Sequence, residues 1–288
     1  MKPATIVFYS LLLALALPAI AADKPLVNFG VIPRYNPVVM YKRYQPIMDY
    51  LTQNTPYRFE LKISRDYPEA VRFLKDGVTR ISSLGDVTFS EANFQYAAVP
   101  ILRPLNSDGK PFYRSAIIVR TDSPLRSVRD LRGKSMAFGS AHSTSSNLIP
   151  RYFLWNHGVK IQDLGRWANL GHHDAVAKAV LKGQFDAGAV KDVVAEKYEG
   201  YGLRVLSWSA PIPSVPFVVR SDAPPEFVRS VKQALLKLDR NNPEHRKIMD
   251  TWDDEFKYGF AEATVDNYRE IFRMIRNIPA GCGFGCHR

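Results

Sequence analysis

A run of small hydroxyl side chains is the feature of this chain best suited to bind a ligand. Ser143, Thr144, Ser145 and Ser146 directly follow His142, between an apolar segment at 135–139 and a helical pattern. Unpaired backbone N–H groups and the positive end of the helix dipole suit a helix N-terminus to a phosphate-like anion. Ser and Thr are also ordinary helix caps. On this pattern alone, capping and anion binding therefore both remain open.

The two cysteines offer a second possible chemistry. Cys282 and Cys286 lie in the last seven residues, and His287 follows the second of them. A short disulfide is the usual reading of such a pair in an exported protein. The pattern is also one residue longer than the Cys-x-x-Cys-His haem-attachment signature, with His287 as the proximal ligand. Metal binding and a free dithiol are further alternatives. We adopt the disulfide, so no cofactor and no metal is expected.

The N-terminal residues predict export. Lys2 is followed by an apolar stretch at 6–17 and by the sequence Ala19-Ile20-Ala21, which is typical of a signal-peptide cleavage site. The apolar stretch is shorter than the roughly 20 residues that a membrane helix needs. We therefore expect cleavage near Ala21 or Ala22 and release of the mature chain into the periplasm.

Composition limits the classes of partner. The net charge is +11 with a pI near 9.6, but basic and acidic residues are interspersed along the chain. No stripe of Lys and Arg interleaved with aromatics appears, so nucleic-acid binding is not expected. About 265 residues remain after the signal peptide, which is enough for two lobes with separate cores.

Strands and helices are predicted to alternate, which is typical of an α/β protein with mixed, mostly parallel sheets flanked by helices. Strands are predicted at 26–32, 58–63, 81–84, 115–119, 135–139, 184–190 (with Asp186 inside), 203–207 and 217–219, and an extended segment at 164–170. Helices are predicted at 39–52, 67–76, 89–97, 128–131, 147–155, 174–182, 225–238, 245–251 and 265–275.

The chain is predicted to cross between two lobes twice, near Tyr113 and in the proline-rich segment around Pro213. Lobe 1 is then discontinuous and lobe 2 is inserted into it. The expected division is 1–22 signal peptide, 23–114 plus 216–279 lobe 1, 115–215 lobe 2 and 280–288 tail. A cleft between two such lobes is a natural ligand site, because loops at the carboxyl ends of the strands converge there.

Over nearly all of the mature chain, the sequence resembles the periplasmic binding proteins of phosphate, phosphite and phosphonate ABC importers, which have the type II periplasmic-binding fold. The resemblance rests on the order and spacing of several short motifs. They are Phe29-Gly30-Val31-Ile32-Pro33, Asp66-Tyr67, Asp108-Gly109-Lys110-Pro111-Phe112-Tyr113, Asp130-Leu131-Arg132-Gly133-Lys134, Ser143-Thr144-Ser145 with Pro150, Gly171-His172-His173-Asp174 and Phe185-Asp186-Ala187-Gly188-Ala189-Val190.

This resemblance implies a set of ligand-binding residues in the cleft. Ser143, Thr144 and Ser145 would hold the phosphoryl oxygens, with His142 beside them. His173 would approach from lobe 2, and Tyr67 and Tyr113 would match the pocket tyrosines of the family. On residue type alone, the tyrosines and the histidine are equally compatible with structural roles.

The sequence also departs from the family pattern. Ser146 stands where the serine cluster usually ends in Gly. Val193 and Val215 occupy the positions of two acidic residues that hold the ammonium group of aminoalkylphosphonates, and Asp192 offers only a neighbouring carboxylate. We therefore expect a ligand without an amine, such as phosphate, phosphite or methylphosphonate.

The predicted function is capture of a small oxyanion and its delivery to an ABC permease by a monomeric receptor. The chain lacks the common hydrolase, zinc-protease and nucleotide-binding motifs, so no enzymatic activity is expected. Two alternatives stay open. The same cleft would serve an oxyanion sensor that acts on a membrane histidine kinase, and the tail would serve a haem redox protein.

Overall fold

Two mixed β-sheets, each flanked by helices, form the protein in a computed structural model. The structure describes residues 23–278, so the predicted signal peptide and the tail with Cys282, Cys286 and His287 lie outside the described residues. No helix within 23–278 combines the length and the apolar character needed to cross a membrane.

The elements of the first sheet and its helices come from both ends of the described chain. They are β1 (Leu26–Val31), α1 (Pro37–Asn54), β2 (Arg58–Ile63), α2 (Tyr67–Lys75), β3 (Ile81–Ser83), α3 (Asp86–Tyr96) and β4 (Val99–Pro104), and, after the second lobe, β12 (Phe217–Val219), α7 (Pro225–Leu236), α8 (Pro243–Met249), β13 (Phe260–Glu262) and α9 (Arg269–Arg276). The six strands are ordered β13-β4-β12-β3-β1-β2. The pairings make β1 to β4 run in one direction and β12 and β13 in the other.

The second sheet is built from the middle of the chain. Its elements are β6 (Ser115–Arg120), β7 (Ser135–Phe138), α4 (Ile149–Asn156), β8 (Arg166–Asn169), α5 (His173–Leu181), β9 (Ala187–Lys191), α6 (Asp192–Glu199) and β10 (Leu203–Trp208). The strand order is β10-β6-β9-β7-β8, and β6 alone among these five runs against the rest. Most strands in each sheet therefore share one direction, as the sequence predicted.

Both crossings between the sheets pair with each other. β5 (Phe112–Tyr113) leads out of the first sheet and β11 (Ile212–Pro213) leads back, and the two form a short antiparallel ladder. An apolar cluster on this hinge contains Tyr113, Leu148 and Val215. The hinge thus carries one of the tyrosines expected in the ligand site.

Side chains at the helix starts explain why several helices begin where they do. The Asn36 side chain accepts a hydrogen bond from the backbone N–H of Val39 (3.1 Å), and Pro37 occupies the first turn of α1. Asp66 caps α2 in the same way through Glu69 N–H (2.7 Å). These caps fix where α1 and α2 begin, and so they also fix the ends of the loops that follow β1 and β2.

The sequence-based elements differ from the structure at several places, among them four that concern whole elements or the position of Asp186. Asp186 does not lie inside a strand, because β9 begins at Ala187 and the Asp186 carboxylate accepts hydrogen bonds from Ser135 N (2.8 Å) and Oγ (2.7 Å). Strands β4 and β13 and helix α6 were not predicted. Val193 and Val194, the second and third residues of α6, favour a strand by propensity, but the buried face with Val194, Ala195 and Tyr198 is helical.

Candidate functional site

The serine cluster forms a wide turn that leads into α4. Thr144–Leu148 is a π-helical turn, in which Leu148 N–H donates to the carbonyl of Ser143 (3.0 Å). The Ser143 hydroxyl oxygen accepts from Ser146 N–H (3.2 Å) and from Ser146 Oγ (2.7 Å). Since a hydroxyl oxygen has two lone pairs, the Ser143 proton is left to be donated. The cap therefore also supplies a hydrogen-bond donor.

Ser145 and Ser146 fix this turn to the second sheet. Ser115 Oγ donates to the carbonyl of Ser145 (2.6 Å), and Gly139 N–H donates to the carbonyl of Ser146 (2.9 Å). A methyl group on Gly139 would lie 1.9 Å from Ser146 Oγ. Gly139 therefore makes room for the side chain that replaces the usual Gly at position 146.

Thr144 joins the two lobes. Its Oγ1 accepts a hydrogen bond from the backbone N–H of Val87 (3.0 Å), in the first turn of α3, and the side chain is almost fully buried. This bond uses the Thr144 oxygen as acceptor, and Thr144 also lies near enough to Tyr113 to oppose the rise in the pKa of that phenol. The N-terminus of α3 in lobe 1 and the serine turn in lobe 2 thus face each other.

Tyr67 and Tyr113 contribute buried phenols. Tyr67 is 2% exposed, and its hydroxyl has no hydrogen-bond partner among the residues that the structure describes. Burial raises the pKa of Tyr67 to about 12; Ser143 lies near enough to oppose this shift slightly, although the two hydroxyls do not meet in hydrogen-bond geometry. The Tyr113 hydroxyl makes a long contact with Asp86 Oδ2 (3.5 Å), and burial raises its pKa well above the ordinary value. Both phenols therefore remain protonated donors near neutral pH.

His173 is a neutral donor at the start of α5. Its Nδ1 accepts a hydrogen bond from Lys191 N–H (3.1 Å). Burial, followed by the charges of Lys191 and Arg34, lowers the pKa of His173 to about 3. The ring is therefore uncharged, and its proton is on Nε2.

His142, expected among the ligand-binding residues, makes a hydrogen bond across the cleft. Its Nδ1 lies 2.7 Å from Glu91 Oε1 on α3, and this hydrogen bond raises the pKa of His142 above the ordinary value. Among the predicted site residues, the structure therefore places His142 in a contact between the lobes. Ser143, Thr144, Tyr67, Tyr113 and His173 contribute buried hydroxyls or a ring N–H.

A buried cluster of charges was not anticipated from the sequence. Arg34, in the loop after β1, lies 3.3 Å from Glu255 Oε2 through its Nε and donates to Tyr44 Oη (2.9 Å) and Ser83 Oγ (3.2 Å). Glu255 also binds the ammonium group of Lys191, at the end of β9 in lobe 2. Burial opposes ionisation of Glu255, but the charges of Arg34 and Lys191 outweigh it and hold the pKa of Glu255 below its ordinary value.

The sequence could have indicated three of these residues by their position at the ends of predicted strands. Arg34 and Asp86 follow strands and Lys191 ends one, so all three lie at carboxyl ends of strands, which is where ligands bind in α/β sheets. Glu255 gave no such signal, because it lies in a loop after α8. Asp86 is completely buried, and its Oδ1 has no hydrogen-bond partner among the described residues.

A cavity of about 540 Å³ opens on the hinge side of the cleft. Tyr113, Lys191, Glu255, Asp192 and Val193 are among its lining residues, whereas the serine turn is not. The cavity is therefore an adjoining space that shares Tyr113 and the Lys191–Glu255 pair with the cleft.

The positions expected to recognise the ammonium group of a ligand hold valines, and the neighbouring Asp192 carboxylate is already hydrogen-bonded. Val193 lines the cavity and Val215 is packed in the hinge cluster. Both carboxylate oxygens of Asp192 accept backbone hydrogen bonds, from Arg114 N–H (2.8 Å) and Val193 N–H (2.9 Å). Asp192 is thus held at the start of α6.

Two α/β lobes, a paired hinge and a cleft of buried donors define a bilobal ligand-binding protein. The family described as "ABC transporter, phosphonate, periplasmic substrate-binding protein" matches residues 29–268. A probable ABC transporter phosphite-binding protein of Prochlorococcus marinus is 25% identical over 287 residues, covering 93% of this chain and 96% of that protein.

Solved structures are similar over most of the chain. A binding protein component of an ABC phosphonate transporter from Pseudomonas aeruginosa has a TM-score of 0.78 at 22% identity and covers 88% of this chain and 86% of that chain. A Prochlorococcus marinus protein in complex with methylphosphonate has a TM-score of 0.77 at 24% identity, covering 88% and 98% of the two chains. These likenesses confirm the type II periplasmic-binding fold.

The chain belongs to the periplasmic substrate-binding proteins of phosphonate-type ABC transporters. It is therefore an extracytoplasmic component that binds a small molecule and works with a membrane permease. The resemblance drawn from the sequence motifs is confirmed.

Proposed function

We propose that this protein captures a phosphate-like oxyanion, namely phosphate, phosphite or a phosphonate without an amine, and presents it to the permease. One observation carries the proposal. Ser143 Oγ already accepts two hydrogen bonds, so its proton is available to a ligand, and the buried Tyr67 hydroxyl beside it has no partner within the described chain. An anion is the acceptor that such donors suit.

The neighbouring groups support an anion and not a neutral or cationic ligand. Thr144, Tyr113 and His173 add uncharged donors, and the two positive charges of Arg34 and Lys191 exceed the negative charge of Glu255, to which both are bound. The relatives that bind phosphite and methylphosphonate, according to their names, agree with this choice. The apolar side chains at Val193 and Val215 support a ligand without an ammonium group.

The binding experiment compares five ligands with the mature chain. Thermal shifts are measured with phosphate, phosphite, methylphosphonate, aminoethylphosphonate and sulfate, because a ligand at 100 times its Kd stabilises the native state by about 2.7 kcal/mol. We expect stabilisation by at least one of the first three. No stabilisation by any oxyanion would reject the proposed function, and stabilisation by aminoethylphosphonate alone would reject the exclusion of amines.

The residues are tested by calorimetry. Ser143→Ala removes a donor to a charged acceptor, which contributes about 1.5–3 kcal/mol, so affinity falls about 10- to 150-fold. Thr144→Val acts similarly, whereas Ser90→Ala is the matched control, because the buried Ser90 hydroxyl donates within α3 to the carbonyl of Val87 (2.7 Å). Equal affinities of Ser143→Ala and Ser90→Ala would contradict the assignment.

We further propose that the mature chain begins after Ala21 or Ala22, acts as a monomer without enzymatic activity, and carries a disulfide between Cys282 and Cys286 and no cofactor. Intact mass of the exported protein tests the cleavage site. A mass increase after reduction and alkylation, but not after alkylation alone, tests the disulfide. An absorbance band of haem that survives denaturation would instead support attachment at Cys282, Cys286 and His287.

A further inference from the structure

A carboxyl group in an anion-binding cleft requires an explanation. Asp86 is 0% exposed at the first position of α3, one residue before the N–H that binds Thr144. Its Oδ2 has only the long contact to Tyr113 Oη (3.5 Å), and Oδ1 has no hydrogen-bond partner among the described residues. An ionised carboxylate with so few donors would be costly to bury.

The charges around Asp86 do not form an ion pair with it. Lys191 and Arg34 favour its ionised form from a distance, whereas both are directly bound to Glu255. Glu255 disfavours ionisation of Asp86. The Tyr113 hydroxyl contacts Asp86 (3.5 Å), whereas the Tyr268 hydroxyl, which Asp86 influences electrostatically, donates to the Ser214 carbonyl (2.8 Å). Burial is the largest influence and raises the pKa of Asp86 to about 8.

We infer that Asp86 is a specificity-determining residue that donates a hydrogen bond from its carboxylic acid to an unprotonated oxygen of the bound oxyanion. This inference rests on the proposed function. Asp86 contacts the Tyr113 hydroxyl (3.5 Å), and the next residue, Val87, binds Thr144 of the serine turn (3.0 Å), so the buried Oδ1 lies beside two of the proposed ligand contacts. A protonated Asp86 adds a donor without adding a negative charge, whereas an ionised Asp86 repels the anion.

The consequence is an upper pH limit on binding that belongs to the protein and not to the ligand. Fully deprotonated oxyanions are favoured as the pH rises, but Asp86 loses its proton above about pH 8. If only the protonated form binds, affinity falls tenfold for each pH unit above that value. Asn at position 86 keeps an N–H donor and cannot ionise.

The test measures affinity for methylphosphonate, or for the oxyanion that binds best, from pH 6 to 9.5. Asp86→Asn should bind within about threefold of the unmodified protein at pH 7, and Asp86→Ala at least tenfold more weakly. At pH 9.5 the unmodified protein should lose about 30-fold relative to Asp86→Asn, because the ligand's own titration is common to both. Ser90→Ala controls for a substitution elsewhere in α3. Asp192→Asn controls for the loss of another carboxyl group whose pKa is raised.

Three results of the binding experiment would overturn the inference. The first is a ratio of affinities, unmodified protein to Asp86→Asn, that does not change with pH. The second is an Asp86→Ala variant that binds as tightly as the unmodified protein. The third is a preference for aminoethylphosphonate that Asp86→Asn abolishes. A readout without ligand separates this inference from the proposed function. The infrared difference between unmodified protein and Asp86→Asn should contain a carboxylic-acid carbonyl band at pH 7 that disappears above pH 8. Absence of that band refutes the inference even if no oxyanion binds.

Discussion

Removal of the Glu255 charge is expected to weaken both the fold and the contact between the lobes. The Glu255 side chain is 4% exposed and neutralises two buried cations, Arg34 in its own lobe and Lys191 in the other. Breaking a buried ion pair by removing one partner costs about 3–5 kcal/mol, because the other charge stays buried. Glu255→Gln should therefore lower the free energy of unfolding by about 3 kcal/mol or more.

The two cations respond differently when Glu255 is neutralised. Arg34 keeps its hydrogen bonds to Tyr44 and Ser83 but remains buried within lobe 1. Lys191 keeps only its position 4.4 Å from the Tyr113 ring centroid among the described contacts of its ammonium group, and it regains hydration if the lobes separate. Part of the cost is therefore relieved by opening of the cleft.

Urea unfolding and small-angle scattering separate these two effects. Glu255→Gln should lower the urea midpoint and increase the radius of gyration without ligand. Lys191→Met leaves the Arg34–Glu255 pair intact, so it should increase the radius of gyration with a smaller loss of stability. The reasoning is refuted if Glu255→Gln changes stability by less than about 0.5 kcal/mol and leaves the scattering curve unchanged.

Three other variants give independent checks. Gly139→Ala should lose about 1–3 kcal/mol of stability in urea, since its methyl group would overlap Ser146 Oγ, and Ser146→Gly in the same chain should restore it. The hydrogen bond to Glu91 raises the pKa of His142, so this pair stabilises the fold fully below pH 6.5, and the stabilisation is lost as the pH rises through the pKa of the folded state. His142→Gln should remove this pH dependence from the free energy of unfolding measured in urea. An unchanged pH dependence in the variant would contradict the assignment. Burial lowers the pKa of His173 to about 3, so the folded protein keeps this ring neutral and loses stability as the pH falls below 6.5. His173→Gln should make the free energy of unfolding depend less on pH in this range.

The sequence predicted the fold well because its signals were local. Strand runs, proline crossings and capping residues such as Asn36 and Asp66 depend on a few adjacent residues. The elements that were missed depend on tertiary contacts. For example, β13 has three residues and is defined by pairing with β4, and α6 contains Val193 and Val194 in its first turn, which favour strands.

The site was predictable only where a motif carried it. The hydroxyl run was visible as a pattern, but the sequence did not show that Ser143 accepts two hydrogen bonds from Ser146. The Arg34–Glu255–Lys191 cluster joins residues more than 60 positions apart, and its charges resemble ordinary surface residues in the sequence. Burial, which decides the pKa of Asp86, is equally invisible in residue type.

The pairing of β5 with β11 determines how the lobes are able to move. Because the two crossings are hydrogen-bonded to each other, we expect them to bend together, and relative motion of the lobes to be mainly a rotation about the paired crossings. Tyr113 lies in one of these crossings, so we expect it to move less during such a rotation than groups farther from the hinge. As the cleft closes, Tyr113 would therefore keep nearly the same position while the serine turn and α3 approach each other.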